Sequence, residues 1–155
     1  MEENVALIDR FYASFKRGDT ESMVACYADD AVFHDPAFGT LRGENVRDMW
    51  RMLAELGQGK LLVTYGNVWA DSRTGGADWV GEYDFSNTGR HVVNRITASM
   101  EFREGRIIRH TDSFSFSHWA RQAFGPLGLV LAWFPFGRLL FQTNSRRLLR
   151  GVRKA

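Results

Sequence analysis

The hydrophobic pattern of the chain changes its period near residue 60. Before that point, apolar residues recur at the spacing of one helix face in two stretches, from Val5 to Phe15 and from about Gly43 to Leu56. After it, apolar and polar residues alternate, which is typical of strands that bury one face. Helices followed by a meander of strands predict an α+β fold, in which a curved antiparallel sheet wraps around the N-terminal helices.

Turn and breaker residues set the predicted boundaries. A short second helix is expected from Asp19 or Thr20 through Tyr27. A short strand over Ala31–Asp35 is then expected, followed by a turn over Pro36–Gly39. The four strands of the meander are predicted at Leu61–Ala70, Ala77–Ser86, Arg90–Arg103 and Arg106–Ser117.

The C-terminal part of the chain differs from the rest in charge. All 18 Asp and Glu residues lie at or before Asp112, whereas seven of the 20 Lys and Arg residues follow it. A length of 155 residues fits one domain, which we predict over residues 1–120, with an apolar and then basic extension over residues 121–155. The extension is expected to dock on the acidic body or on a second copy, and contact with an anionic membrane surface is the rarer alternative.

Local sequence refines the prediction for the extension. A helix is expected over Trp119–Phe124, ended by Gly125 and Pro126. The apolar run Phe124–Phe141 is interrupted by prolines, glycines and Arg138, which makes it a poor transmembrane helix. Residues 138–150 have the pattern of a basic amphipathic helix.

Several classes of partner are not expected. The single cysteine, Cys26, has no partner for an internal disulfide, and no Cys/His cluster has zinc spacing, so we expect no metal and no cofactor. The basic residues gather in one tail without a nucleic-acid motif, so we expect no nucleic acid. The first residues lack the pattern of a signal peptide, which predicts a cytoplasmic protein.

Strand alternation predicts which polar residues lie inside the curved sheet. In the last strand His110 and Asp112 share a face with Ile108, Phe114 and Phe116. In the strand before it Asn94 shares a face with Ile96 and other apolar residues. The remaining inner residues expected to line a hydrophobic pocket are Tyr12, Phe33, Asp35, Trp50, Trp79 and Tyr83.

Burial raises the pKa of a carboxyl group, so an inward-facing Asp112 is a candidate acid or base near neutral pH. Its structural interpretation is a pair with His110 or with a backbone turn. Asp35 precedes a proline, which is also common turn chemistry. A satisfied core histidine and a core hydrogen bond are the structural alternatives for His110 and Asn94, and both functional and structural interpretations stay open here.

Two passages resemble a known family. Residues 11–19, FYASFKRGD, and residues 27–36, YADDAVFHDP, resemble the opening of the SnoaL-like branch of the NTF2-like superfamily. Residues 105–114, GRIIRHTDSF, resemble its closing strand, so the likeness covers about residues 4–120. It implies a cone-shaped α+β fold with a deep hydrophobic pocket that is usually dimeric, and it implies no single function, because relatives include ketosteroid isomerases, polyketide cyclases, epoxide hydrolases and non-enzymes.

The resemblance also suggests roles for residues. Asp35 matches the general base of the ketosteroid isomerases, but Phe11 stands where their donor tyrosine lies, with Tyr12 one residue away, and Ala98 falls near their donor acid. Asp112 matches the acid/base aspartate of the SnoaL-like cyclases. Epoxide hydrolases of this superfamily need an inner arginine, whereas alternation turns Arg95 outward.

Two functions therefore remain open at this stage. The first is a cofactor-free acid/base enzyme of the isomerase, cyclase or hydrolase type, acting on a small hydrophobic carbonyl or polyketide-like molecule. Its catalytic residues would be Asp112, Asp35 and His110, and its ligand-binding residues Asn94, Tyr12, Trp50, Trp79, Tyr83 and Phe114. The second is a non-catalytic module that binds a hydrophobic ligand or a protein. A homodimer is expected in either case.

Overall fold

The computed structural model of the protein describes residues 1–57, 59–133, 142 and 149. The predicted basic helix over residues 138–150 therefore lies almost wholly outside the described residues. Two helices precede the first strand, and a third lies between the second and third strands. The element order is α1 (Glu2–Lys16), α2 (Thr20–Val24), β1 (Tyr27–Asp35), β2 (Gly39–Arg42), α3 (Glu44–Gly57), β3 (Leu62–Ala70), β4 (Thr74–Asp84), β5 (His91–Arg103), β6 (Arg106–Ser113), α4 (Phe116–Phe124) and α5 (Pro126–Trp133).

The predicted α+β class is confirmed, since helices pack on one face of a curved, six-stranded, open sheet. The strand order is β2-β1-β6-β5-β4-β3. The prediction that the sheet is antiparallel throughout is wrong. β1 runs parallel to β6, with Phe33 opposite His110. The intervening helix and meander provide the long connection that a parallel pair requires.

Some predicted boundaries were wrong. The second helix ends at Val24, and β1 begins at Tyr27 rather than Ala31. Gly39, the last residue of the predicted turn after Asp35, opens β2, a four-residue strand whose residues alternate between buried and exposed. The last strand ends at Ser113, because the Ser115 hydroxyl accepts a hydrogen bond from the His118 backbone and caps α4 there.

The core lies between the inner face of the sheet and the first three helices. Along β5 every second residue from Val92 to Phe102 is buried, as alternation predicts. A β-bulge between β5 and β6 changes the phase of β6, so Ile107 is buried and the predicted inner residue Ile108 is only half-buried. Beyond the bulge, His110 and Asp112 face inward as predicted.

The C-terminal helices form a second apolar cluster at one end of the sheet. α4 buries Trp119, Ala120 and Ala123 against Val92 of β5. Gln122 holds α4 to the strand edge, since its side chain accepts from the backbone N–H of Val93 and donates to the Val93 carbonyl. None of the described helices has both the length and the apolar content needed to cross a membrane.

Candidate functional site

The central feature of the inner face is a buried pair of polar side chains on β6. His110 and Asp112 are two residues apart and therefore point the same way. His110 Nε2 lies 2.9 Å from Asp112 Oδ1, and the two residues are 0% and 3% exposed. The structural interpretation of Asp112, a pair with His110, is therefore part of the geometry, and the question becomes what this pair can do.

Three aromatic side chains extend the pair into a chain of hydrogen bonds. Tyr27 Oη lies 2.6 Å from His110 Nδ1, and the Trp50 indole N–H donates to Tyr27 Oη at 3.0 Å. At the other end, the Trp79 indole N–H donates to Asp112 Oδ1 at 3.3 Å. These groups come from β1, α3 and β4, so this series of hydrogen bonds connects the sheet to helix α3, which covers it.

The positions of the hydrogens follow from the donors present. An indole N–H only donates, so Tyr27 Oη accepts from Trp50 and gives its own hydrogen to His110 Nδ1. His110 then carries its hydrogen on Nε2 and donates it to Asp112. Every hydrogen in this series of hydrogen bonds has an acceptor when His110 is neutral and Asp112 is a carboxylate.

Tyr12 differs from all the other buried polar groups that the structure describes. It is 0% exposed, and its hydroxyl is the one fully buried side-chain oxygen or nitrogen without a hydrogen-bond partner among the described residues. Its ring stacks on Tyr65 at 5.2 Å and lies 6.2 Å from the Trp79 ring. Burial raises the pKa of Tyr12 well above its usual value, and the nearby Asp112 charge raises it further.

The two carboxylate oxygens of Asp112 differ in their hydrogen bonds. Both of its hydrogen bonds go to Oδ1, and Oδ2 accepts none from the described part of the chain. Buried donors and acceptors are nearly always paired, by protein or by bound water. The Tyr12 hydroxyl therefore marks a place where a polar atom of a ligand or a water belongs.

Two open clefts border the sheet. One, of about 450 Å³, is lined by residues of β3, β4 and β5 that include Tyr65, Trp79 and Ile96. Because Tyr65 contacts Tyr12 and Trp79 contacts Asp112, these two rings separate this cleft from the buried polar groups. Packed aromatic rings therefore lie between this open cleft and the buried polar groups.

The other cleft, of about 480 Å³, lies where β6 ends and α4 begins. Asn94 lines it together with Arg95, Ser115, His118 and Gln122. Asn94 is buried on the inner face as predicted, but it opens to this cleft and makes no hydrogen bond with His110 or Asp112. Asn94 is therefore not part of the polar chain on β6.

Asp35 has the turn chemistry that its place before Pro36 predicts. Its Oδ1 accepts from the backbone N–H groups of Ala37 at 2.9 Å and Phe38 at 2.5 Å. The Asp35 charge contributes to raising the pKa of Tyr83, after burial, whereas the Asp112 charge acts on Tyr12 and Tyr27. The charges of the two carboxylates thus affect the pKa values of different tyrosines.

The remaining predicted wall residues divide between the two apolar clusters. Trp50 and Trp79 belong to the main cluster and bond to the polar chain. Tyr83 belongs to the second cluster, where its Oη accepts from the Trp119 indole at 2.9 Å. Phe114 packs against both clusters. His34 and His91 are exposed.

Sequence reasoning missed Tyr27 and Tyr65. Tyr27 was expected in a helix, and the exposed Asp29 breaks the odd-numbered alternation of β1 between Ala31 and Tyr27. Tyr65 lies on β3 opposite Trp79 of β4, and alternation alone gave it no special weight. Both residues contact groups that the prediction did select.

Residues 8–110 match the family model of the SnoaL-like domain. The chain belongs to the SnoaL-like domain family. The matched region contains Tyr12, Tyr27 and His110, and Asp112 lies two residues past its end. No curated protein matches this SnoaL-like protein in sequence.

Solved structures show the same fold at low sequence identity. A proposed polyketide cyclase from Xanthomonas campestris pv. campestris is 20% identical with a TM-score of 0.64, over 79% of this chain and 97% of that one. IdmH, a proposed polyketide cyclase from Streptomyces antibioticus, is 20% identical with a TM-score of 0.63, over 76% and 95%. A protein of ketosteroid isomerase-like fold from Catenulispora acidiphila, in complex with trimethylamine, is 16% identical with a TM-score of 0.63, over 83% and 97%.

Proposed function

We propose that this SnoaL-like protein is a cofactor-free acid/base enzyme that moves a proton next to the carbonyl group of a small, largely apolar molecule. The observation that carries the proposal is the buried Tyr12 hydroxyl, which has no partner among the described residues. Its ring lies 6.2 Å from the ring of Trp79, which donates a hydrogen bond to Asp112. A hydroxyl donor and a carboxylate acceptor are the two groups that enolisation of a ketone requires.

In the proposed step Asp112 Oδ2 removes a proton from the carbon beside the carbonyl. The C–H bond breaks, an O–H bond forms on Asp112, and the electron pair passes to the carbonyl oxygen as an enolate. The Tyr12 hydroxyl donates a hydrogen bond to that oxygen, where the negative charge develops. Asp112 then returns the proton to the substrate, so the step needs no other reactant.

The hydrogen-bonded neighbours of Asp112 have a positioning role in this proposal. His110 and Trp79 both donate to Oδ1, so they hold the carboxylate with Oδ2 turned away from them. Tyr27 fixes the hydrogen of His110 on Nε2. Both bonds go to Oδ1, which leaves Oδ2 for the proton transfer.

Substrate is proposed to enter from the cleft beside Tyr65 and Trp79. Those rings form the wall between the cleft and Asp112, and the Trp79 bond to Asp112 is the longest in the polar chain at 3.3 Å. An aromatic lining favours flat, apolar substrates that stack on the rings. This matches the hydrophobic carbonyl class expected from sequence.

Carbon-acid exchange tests the proposal without knowledge of the natural substrate. We expect the wild-type protein to accelerate loss of the α-proton NMR signal of 2-tetralone in D₂O. Asp112→Asn should lower this rate by about 10²-fold or more, since it removes the base. Tyr12→Phe should lower it by about tenfold to a thousandfold, since it removes the donor to the enolate. His91→Gln, a change at an exposed histidine, is the matched control and should have no effect.

The competing function is a ligand-binding module, favoured by one observation: Asp112 is only 3% exposed and pairs with His110 as a structural carboxylate would. A module of this kind binds an apolar ketone equally well in the wild-type protein and in the Asp112→Asn variant, and neither gives exchange above the rate in solution. Tetralone binding without exchange in the wild-type protein would therefore reject the enzyme and select the module.

A further inference from the structure

Helix α5 has no polar face. Its eight residues, PLGLVLAW, include no charged and no amide side chain. A helix that is apolar all round is normally buried in a core or in lipid. In this protein Leu127, Leu129 and Val130 are 73%, 42% and 54% exposed. We call these three side chains the outer face of α5.

Close backbone packing holds α5 in this orientation. A Cβ atom at Gly128 would clash with the Ala120 carbonyl oxygen, so α5 touches α4 at this glycine. Gly128 is buried in that contact, and Ala132, one turn later, is half-buried against the second apolar cluster. The outer face is therefore turned away from the domain by the way the helix is seated.

The sequence around α5 carries only positive charge. No Asp or Glu follows Asp112, whereas seven Lys and Arg residues do. Trp133, Phe134 and Phe136 follow the outer face in the sequence, and these residue types favour the boundary between lipid headgroups and acyl chains. Apolar and aromatic residues beside clustered cations are typical of segments that lie on anionic membranes.

We propose that the outer face of α5 binds the surface of an anionic lipid bilayer. Leu127, Leu129 and Val130 would enter the headgroup boundary, and the positive charge of the sequence after Asp112 favours an anionic surface. A helix of eight residues is about 12 Å long, against about 20 residues for a bilayer span, so the contact is with one leaflet. This proposal is independent of the enzymatic one.

Charge favours lipid over a second copy of the chain. A two-fold dimer through the outer face would bring two identical segments together, each with seven cations and no carboxylate. Like charges at that distance repel, whereas an anionic surface attracts them. The rest of the chain holds 18 acidic against 13 basic residues, so the same surface would repel the body and orient the C-terminal end toward the lipid.

Vesicle co-sedimentation of the full chain tests the proposal. We expect the wild-type protein to sediment with vesicles of mixed phosphatidylglycerol and phosphatidylcholine, and not with pure phosphatidylcholine. Leu127→Glu/Val130→Glu should lower the bound fraction at least about tenfold, because it removes apolar contact and adds repulsion. Leu56→Glu/Leu62→Glu is the matched control, since it changes the charge equally at residues 51% and 61% exposed elsewhere.

Three results would overturn the lipid proposal. They are equal sedimentation of the two double variants, no sedimentation of the wild-type protein, and a dimer in light scattering that disappears only in the Leu127→Glu/Val130→Glu variant without vesicle binding. The last result would assign the outer face to a second copy. Salt dependence of wild-type binding gives a readout that needs no variant, because binding to anionic headgroups must weaken as salt rises.

Discussion

The two buried tyrosines of the aromatic cluster differ in one respect, the partners of their hydroxyl groups. Tyr27 donates to His110 and accepts from Trp50, whereas the Tyr12 hydroxyl has no partner among the described residues. We therefore expect Tyr12→Phe to raise the free energy of unfolding of the unliganded protein by about 1 kcal/mol, because it removes a buried, unpaired polar group.

Tyr27→Phe is the matched control, because it deletes the same atom from an equally buried ring. It should lower the free energy of unfolding by about 2–4 kcal/mol, since it leaves the Trp50 indole N–H and His110 Nδ1 without partners. Urea denaturation measures both changes. A Tyr12→Phe variant less stable than the wild-type protein would show that its hydroxyl is bonded in solution and would weaken the proposed ligand site.

Single residues on one strand were the easiest to predict. His110 and Asp112 are two residues apart, so alternation alone places them side by side whatever the rest of the fold does. Tyr27 was harder, because Asp29 and Asp30 are both exposed and interrupt the alternation of β1 just after it. Its contact with His110 joins residues 83 positions apart, and no local pattern reports such a distance.

Among the elements, the β4–β5 hairpin has a pH-sensitive cross-strand contact. His91 Nδ1 lies 3.0 Å from Asp84 Oδ1, and its Nε2 lies 3.0 Å from Glu82 Oε1. The bond with Asp84 first, and then that with Glu82, raises the pKa of His91 above its usual 6.5. The charged form is thus favoured in the folded state.

This contact should make the hairpin more stable in mild acid than in mild base. A raised folded-state pKa means that the stabilisation is complete below about 6.5 and is lost as the pH rises through the folded-state value. We expect the free energy of unfolding to fall from pH 5.5 to pH 8.5 by more in the wild-type protein than in His91→Gln. The difference should shrink in high salt because the contact is exposed. Parallel pH profiles would contradict the assignment.

Pairing between elements was less predictable than the elements themselves. Period and turn chemistry predicted three N-terminal helices and the meander, because both signals are local. The parallel β1–β6 pair depends on a register between residues 33 and 110, which local alternation does not contain. The bulge that buries Ile107 in place of Ile108 is likewise a property of the β5–β6 pair and cannot be read from one strand.

At the scale of the whole molecule, the part of the C-terminal extension beyond α5 contacts the domain at its two described residues. Leu149 is 4% exposed within the main apolar cluster, and the Gln142 side chain donates to the Pro36 carbonyl at 3.2 Å. The extension was predicted to dock on the body or on a second copy, and these contacts favour the body. They also connect Gln142 and Leu149 of the extension to the predicted domain of residues 1–120.

A single substitution separates an integral extension from a loosely attached one. Leu149→Ala should lower the free energy of unfolding by about 2–4 kcal/mol, as deletion of a buried leucine side chain does, and one cooperative transition should remain. Leu56→Ala, at a residue 51% exposed, is the control and should change it by less than about 0.5 kcal/mol. If both variants unfold like the wild-type protein, Leu149 is not buried in solution, and the extension must then be free to leave the body, for example toward the lipid surface proposed for α5.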